Sequence, residues 1–235
     1  MNNHKKSLAF MIMAYDDYIA ARFLINNNYV LQGAILACTS VEKYFKALLQ
    51  ALFPNQPPKV HLDRLSELKA RLDNTEYREI FNHIDNTFLK ELSIIYKFRY
   101  YDNFREPTSI GFLVNQFLGE LDSVVLNVFT KLIIPKYTNG STMKISLYRD
   151  IESFDKQLYY NNYVLNNINK VEFMNRETHG FGFYINPKKL DPITIISNTK
   201  VKPGSKNVNI IDGFKVDLPE YSGNIFIIRM NENTP

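Results

Sequence analysis

Apolar side chains recur every three or four residues through most of the stretch between residues 5 and 134, which restricts that stretch to α-helices. The clearest example, at residues 29–53, carries on one face Ala34, Ala37, Cys38, Val41, Phe45, Leu48, Leu49 and Leu52. The prolines that follow at positions 54, 57 and 58 end this helix. Because the connections are short, neighbouring helices should pack antiparallel, as in an up-down bundle.

Stop signals and turn residues divide this first region into five predicted helices. Their ranges are 5–26, 29–53, 61–73, 75–101 and a last helix that ends near residue 134. Thr108 or Ser109 is the predicted N-cap of the last helix. That helix is apolar on most of its circumference, which indicates a position at the centre of the bundle or a surface covered by a partner.

The sequence pattern changes near residue 139. Six of the nine glycines lie beyond this point, and β-branched and aromatic clusters alternate with turn residues. The predicted strands are 143–148, 171–174, 181–185, 193–196, 208–211, 214–216 and 225–230, with Asp212-Gly213 as a hairpin turn. The predicted fold class is therefore α+β, with an all-α up-down bundle at 1–136 and a small β-rich or α+β domain at 137–235.

Charge and cysteine content exclude several classes of function. The net charge of +4 is modest and has no basic tail, so binding to nucleic acid through bulk charge is not expected, although a local anion site is possible in principle. The single cysteine, Cys38, lies in an apolar helical pattern, is expected to pack in the core, and fits a reducing, cytoplasmic location. The four dispersed histidines predict no metal site, and no apolar run is long enough to span a membrane.

The end of the fourth predicted helix carries an arginine at a position that should be buried. The spacing that places it there joins Ile84, Phe88, Leu92, Ile95 and Arg99. A permanently charged guanidinium on a packing face needs a partner, so Arg99 is either a structural ion-pair residue or part of an anion site. Asp16 or Asp17 on the first helix is the predicted ion-pair partner.

Residues 8–133 resemble the HEPN family. The resemblance lies in residues 17–24, in residues 34–49 (Ala-Ile-Leu-Ala-Cys-Thr-Ser-Val-Glu-Lys-Tyr-Phe-Lys-Ala-Leu-Leu), in His61-Leu62-Asp63 at the start of the third helix, and in Arg99-Tyr100-Tyr101-Asp102 before the last helix. It implies a helical bundle that forms homodimers. Many HEPN domains are metal-independent ribonucleases that serve as toxins or defence effectors, and others bind nucleotides or assist a partner.

The ribonuclease form of the family places a histidine after its arginine, with four to six residues between the two. The corresponding positions here hold Phe104, Arg105 and Glu106. The expected imidazole, which would exchange protons near neutral pH, is therefore missing. The Arg-Tyr-Tyr-Asp form resembles the nucleotide-binding branch instead, which implies a ligand site at Arg99, Tyr100 and Asp102, with Asp17 and His61 as further candidates.

Together these patterns predict a cytoplasmic, dimeric, HEPN-like helper that binds nucleotide or RNA, with no cofactor and no metal. Enzymatic activity is not expected. One alternative is a metal-independent ribonuclease whose general base is relocated, for example to His61 or His83. Another is a protein–protein adaptor that uses the apolar fifth helix, with the C-terminal domain selecting the protein partner.

Overall fold

Helices form most of the structure, and a small antiparallel sheet packs against the helix at Val114–Thr130. The computed structural model describes residues 3–53, 65–75, 78–82, 84–100, 108–130, 150–185, 199–205, 208–211 and 214–216. The helices are α1 (Asn3–Asn26), α2 (Val30–Leu52), α3 (Leu65–Asp73), α4 (Arg78–Phe81), α5 (Asn86–Lys97), α6 (Val114–Thr130), α7 (Lys156–Tyr159) and α8 (Lys170–Met174). The strands are β1 (Thr108–Leu113), β2 (Thr178–Ile185), β3 (Thr199–Val201), β4 (Val208–Ile211) and β5 (Phe214–Val216).

The first two helices agree with the sequence prediction and form a close antiparallel pair. The predicted stop signal at the end of α1 is confirmed, because Asn28 adopts a left-handed φ of 68°. The Tyr29 amide then donates to the Leu24 carbonyl at 2.9 Å, which closes the last turn of the helix. Cys38 is fully buried, as predicted, and its thiol donates to the Leu92 carbonyl of α5 at 2.9 Å.

The predicted helix at 75–101 is two helices in the structure. The short helix α4 ends at Phe81, and Asp85 begins α5 by accepting a hydrogen bond from the Thr87 amide at 2.7 Å. An aspartate in extended backbone satisfies an amide that would otherwise lack a partner at the helix start. The N-cap at Asp85 therefore explains why the helical pattern is interrupted here.

Two element assignments from the sequence are wrong. Residues 108–113 form strand β1, so Thr108 and Ser109 do not cap a helix, and the last long helix begins at Val114. Residues 171–174 belong to helix α8, which Asn169 caps through the Val171 and Glu172 amides. In both cases an apolar run of a few residues fitted either structure. Pairing with β2 favours the strand at 108–113, and the Asn169 cap favours the helix at 171–174.

Strand β1 is in register with β2 along six residue pairs, from Thr108–Ile185 to Leu113–Gly180, and β3 pairs with the other edge of β2. The predicted strand at 181–185 is thus confirmed, as are 208–211 and 214–216, which pair as β4 and β5. The predicted Asp212-Gly213 turn and the predicted strands at 143–148, 193–196 and 225–230 lie outside the described residues. The β1–β2 pairing joins the two sides of the predicted domain boundary at residue 136.

Aromatic side chains continue the core from the sheet into the helices. Phe112 of β1 lies with its ring centroid 6.4 Å from that of Phe181 in β2 and 5.2 Å from that of Phe117 in α6. Phe117 in turn makes an edge contact with Phe88 of α5 at 5.5 Å. Every residue from 111 to 126 is buried, which confirms that the last long helix is central.

A buried polar cluster joins α1, α6 and the segment 150–174. Arg22, 1% exposed, forms an ion pair through Nη1 with Asp122 Oδ1, and both residues lie among apolar helices. The Tyr18 hydroxyl donates to the same carboxylate oxygen at 2.7 Å, and Asn162 Nδ2 lies 3.4 Å from the Tyr18 oxygen. Arg22 Nη2 donates to the backbone carbonyl of Tyr160. We call these five residues the Arg22 cluster.

Burial raises the pKa of the Asp122 carboxyl, and the Arg22 guanidinium and the Tyr18 hydroxyl oppose that effect by stabilising the anion. Removing only one member of such a pair leaves the other charge buried without compensation. We therefore expect Asp122→Ala to lower the free energy of unfolding by about 3–5 kcal/mol. Urea unfolding followed by circular dichroism at neutral pH measures this loss.

Asp17→Ala is the matched control, because Asp17 also lies on an ion pair of α1, with Lys43 at 2.6 Å, but the Asp17 side chain is 20% exposed. Solvent screening limits its expected loss to about 1 kcal/mol. Equal losses for the two variants would contradict the role given to the Arg22 cluster. If Asp122→Ala does not fold, Asp122→Asn, which keeps an oxygen acceptor, provides the comparison.

Gly33 sets the distance between α1 and α2. A Cβ atom at this position would lie 2.6 Å from Ile25 Cγ1 and 2.9 Å from the backbone oxygen of Ala21. Since a backbone carbonyl cannot rotate away, Gly33→Ala should destabilise the protein by about 1–3 kcal/mol. Thermal unfolding of Gly33→Ala against the parent tests this.

Gly119→Ala serves as the control for that substitution, because the three atoms nearest to its new Cβ would all belong to the flexible side chain of Met174. There the gain in helix propensity, about 1 kcal/mol, should offset most of the repacking. If Gly119→Ala loses as much stability as Gly33→Ala, the close approach of α1 and α2 is not the cause of the loss at Gly33.

Candidate functional site

Helix α5 has one buried face and one charged face. Phe88, Leu89, Leu92 and Ile95 are buried against the rest of the bundle. On the opposite side Lys90 and Lys97 are exposed, and their separation of seven residues places them on the same face. Glu91, the helix's acidic residue, is buried, so the solvent side of α5 carries positive charge.

The end of α5 determines where Arg99 lies. The amides of Phe98, Arg99 and Tyr100 donate to carbonyls three residues earlier, at 2.9–3.1 Å, so the last turn is tighter than an α-helix. In such a turn residues three apart eclipse each other, which aligns Phe98 with Ile95 and Arg99 with Tyr96. Phe98 is consequently buried and Arg99 is exposed. The prediction that Arg99 lies on the packing face is therefore wrong.

The exposed guanidinium of Arg99 lies against two tyrosine rings. Its Cζ atom is 5.8 Å from the ring centroid of Tyr96 and 5.4 Å from that of Tyr100. The two rings are 6.2 Å apart and nearly perpendicular, and Arg99 Nη1 lies 3.3 Å from the Tyr96 hydroxyl oxygen. Tyr100 remains 49% exposed. We call Tyr96, Arg99, Tyr100 and the two lysines the α5 basic face.

Asp16 and Asp17 were the two carboxylates predicted to neutralise Arg99, and neither pairs with it among the described residues. Asp17 accepts hydrogen bonds from Thr39 Oγ1 and from Lys43 Nζ, both at 2.6 Å, and so ties α1 to α2. Within the described ranges no carboxylate lies within ion-pair distance of Arg99. Among the described residues, the contacts of the Arg99 guanidinium are with the Tyr96 and Tyr100 rings and with the Tyr96 hydroxyl.

Of the residues predicted to form the ligand site, the structure brings together Arg99 and Tyr100, while Asp17 belongs to a separate ion pair. Asp102 and His61 lie outside the described residues, as does His83. Tyr96 and Lys90 were not predicted as site residues. Helical spacing in the sequence could have identified them, because Tyr96 precedes Arg99 by three residues and Lys90 precedes Lys97 by seven.

The pKa of Tyr96 bears on the chemistry that the α5 basic face can perform. Partial burial raises the pKa of its phenol, the neighbouring Tyr100 raises it further, and Arg99 acts in the opposite direction. The Tyr96 hydroxyl therefore stays protonated at neutral pH and is a poor general base. The face is suited to binding an anion and an aromatic ring rather than to transferring protons.

Metal sites and membrane-spanning helices are two further features for which the described residues were compared with known requirements. Over the part of the chain that the structure describes, no group of three or more His, Cys, Asp or Glu side chains is placed to hold a metal ion. None of the described helices is both long enough and apolar enough to cross a bilayer. Comparison with protein-family models, curated proteins and solved structures found no match.

Proposed function

We propose that this protein binds nucleotide or single-stranded RNA on the α5 basic face, as a non-catalytic, HEPN-like helper. The observation that carries the proposal is the exposed Arg99 guanidinium that lies against two tyrosine rings. A guanidinium binds phosphate in a bidentate manner, and exposed tyrosine rings stack on bases. The combination fits a nucleotide better than it fits an inorganic anion, which would not need the rings.

The charge along α5 supports a ligand with more than one phosphate. Lys90, Lys97 and Arg99 are exposed on or next to this helix, and its one carboxylate is buried. A run of cations beside stacking rings is the arrangement that single-stranded nucleic acid binding uses, with the cations tracking the backbone. The modest net charge of +4 is consistent with a local site of this kind.

The proposal includes a homodimer formed through the helical bundle and a cytoplasmic location. The dimer rests on the resemblance of residues 8–133 to HEPN domains. The location rests on the single, buried cysteine, since a chain without disulfides is suited to a reducing compartment. Light scattering of the purified protein measures the dimer directly.

Arg99→Ala should weaken binding of a fluorescein-labelled mixed-sequence RNA about tenfold, because a charge-assisted hydrogen bond to phosphate is lost. Fluorescence anisotropy at fixed, stated salt measures the dissociation constant. Arg71→Ala is the matched control, because Arg71 also lies over an aromatic ring, that of Phe53, at 5.9 Å, but outside the α5 basic face. If both variants bind RNA as tightly as the parent does, Arg99 is not part of the site.

Two substitutions at Tyr100 distinguish stacking from hydrogen bonding as the source of RNA affinity. Tyr100→Phe keeps the aromatic face and should bind RNA like the parent, whereas Tyr100→Ala should lose roughly 1–3 kcal/mol of binding free energy for one stacked base. Equal losses for the two variants would point to the hydroxyl and away from stacking. The same RNA incubated with EDTA should remain intact, and cleavage that Arg99→Ala abolishes would favour the ribonuclease alternative.

A further inference from the structure

A concave surface separate from the α5 basic face lies between α1 and the segment 150–157. It is a cleft of about 400 Å³, within the range of roughly 300–1,000 Å³ typical of ligand sites. Its walls are formed by Tyr15, Asp16, Ile19, Phe23, Asp150 and Gln157. None of these belongs to the α5 basic face, and the proposed function leaves the cleft without a role.

The cleft is negatively charged. The Tyr15 hydroxyl donates to Asp150 Oδ2 at 2.7 Å, which fixes this carboxylate on the wall. Asp16 is exposed, and no described basic side chain lies within ion-pair distance of it. Burial raises the pKa of the Tyr15 phenol, and the neighbouring Asp150 and Asp155 carboxylates raise it further. A cation entering the cleft would meet two carboxylates, and no basic residue among the described residues that line it would repel the cation.

The walls beside these carboxylates are apolar. Ile19 and Phe23 lie on the cleft, and Phe23 is 48% exposed although it is a large aromatic residue. Met13, three residues before Asp16 on the same helix face, is 51% exposed. The solvated carboxylate of Asp16 therefore lies between two exposed apolar side chains, those of Met13 and Phe23. This arrangement is complementary to a cation that has an apolar group on each side.

We propose that this cleft docks a peptide segment of a partner protein through an arginine or lysine flanked by apolar residues. The cation would lie between Asp16 and Asp150, its aliphatic stem would pack on Ile19, and the flanking side chains would cover Phe23 and Met13. A small free cation would use the carboxylates alone and leave the apolar walls exposed, so the peptide accounts for both features.

The test is an NMR titration of ¹⁵N-labelled protein with three probes. The first is the capped tripeptide acetyl-Leu-Arg-Leu-amide, the second replaces arginine with uncharged citrulline, and the third is n-butylguanidine. We expect the arginine peptide to shift the amides of α1 around Asp16 and that of Gln157, and to bind about tenfold more tightly than either of the other probes. Citrulline binding as tightly as arginine would overturn the proposal, as would n-butylguanidine matching the peptide or the absence of shifts at the cleft.

Asp16→Asn removes the charge with little change in shape and should weaken the arginine peptide about tenfold. The control is Glu67→Gln, which removes the charge of an exposed carboxylate on α3 and should bind like the parent. Equal affinity in the two variants would overturn the assignment of Asp16. Arg99→Ala should leave peptide binding unchanged, so this result and the RNA result can fail independently.

Discussion

The buried ion pair between Arg22 and Asp122 is the interaction on which the arrangement of the structure depends. It involves residues 100 positions apart, and the same guanidinium donates to the Tyr160 carbonyl, so one side chain fixes α1 against both α6 and the segment 150–174. A buried pair of this kind contributes little net stability, because desolvation offsets the attraction. The pair instead favours this arrangement of the three elements over other compact arrangements, because a compact arrangement that separates them leaves a charge buried without a partner.

Both candidate surfaces rely on this arrangement. The cleft exists only while the segment 150–160 lies along α1, and the Arg22–Tyr160 and Tyr15–Asp150 hydrogen bonds hold it there. The α5 basic face is linked to the same core through the contact of Phe88 with Phe117 of α6. The two surfaces have opposite charge, and the small net charge of +4 conceals this segregation. Bulk charge is therefore a poor guide to what each surface attracts, and the local side chains decide it.

The parts of the fold that local pattern determines were predictable, and the parts that distant contacts determine were not. The apolar stripe of α2 predicted that helix because its period persists over many residues. Strand β1 could not be distinguished from a helix start, because its pairing with β2 lies much later in the chain. Arg99 was identified as a candidate from its sequence, but the tight turn after Tyr96 reversed its predicted environment. Nothing local marked Asp122 as the partner of Arg22.

The way in which Arg99 is held has a consequence for selectivity. The buried Phe98 anchors the turn, and the rings of Tyr96 and Tyr100 restrict the guanidinium, so less side-chain entropy is lost when a phosphate binds. Tyr100 is 49% exposed, and an exposed tyrosine ring can stack on any of the four bases. Affinity at the α5 basic face would therefore depend on the presence of phosphate and an unpaired base and only weakly on base identity. A binding surface with this property suits a helper that engages many RNAs, and any preference among them has to come from a second contact such as a docked partner.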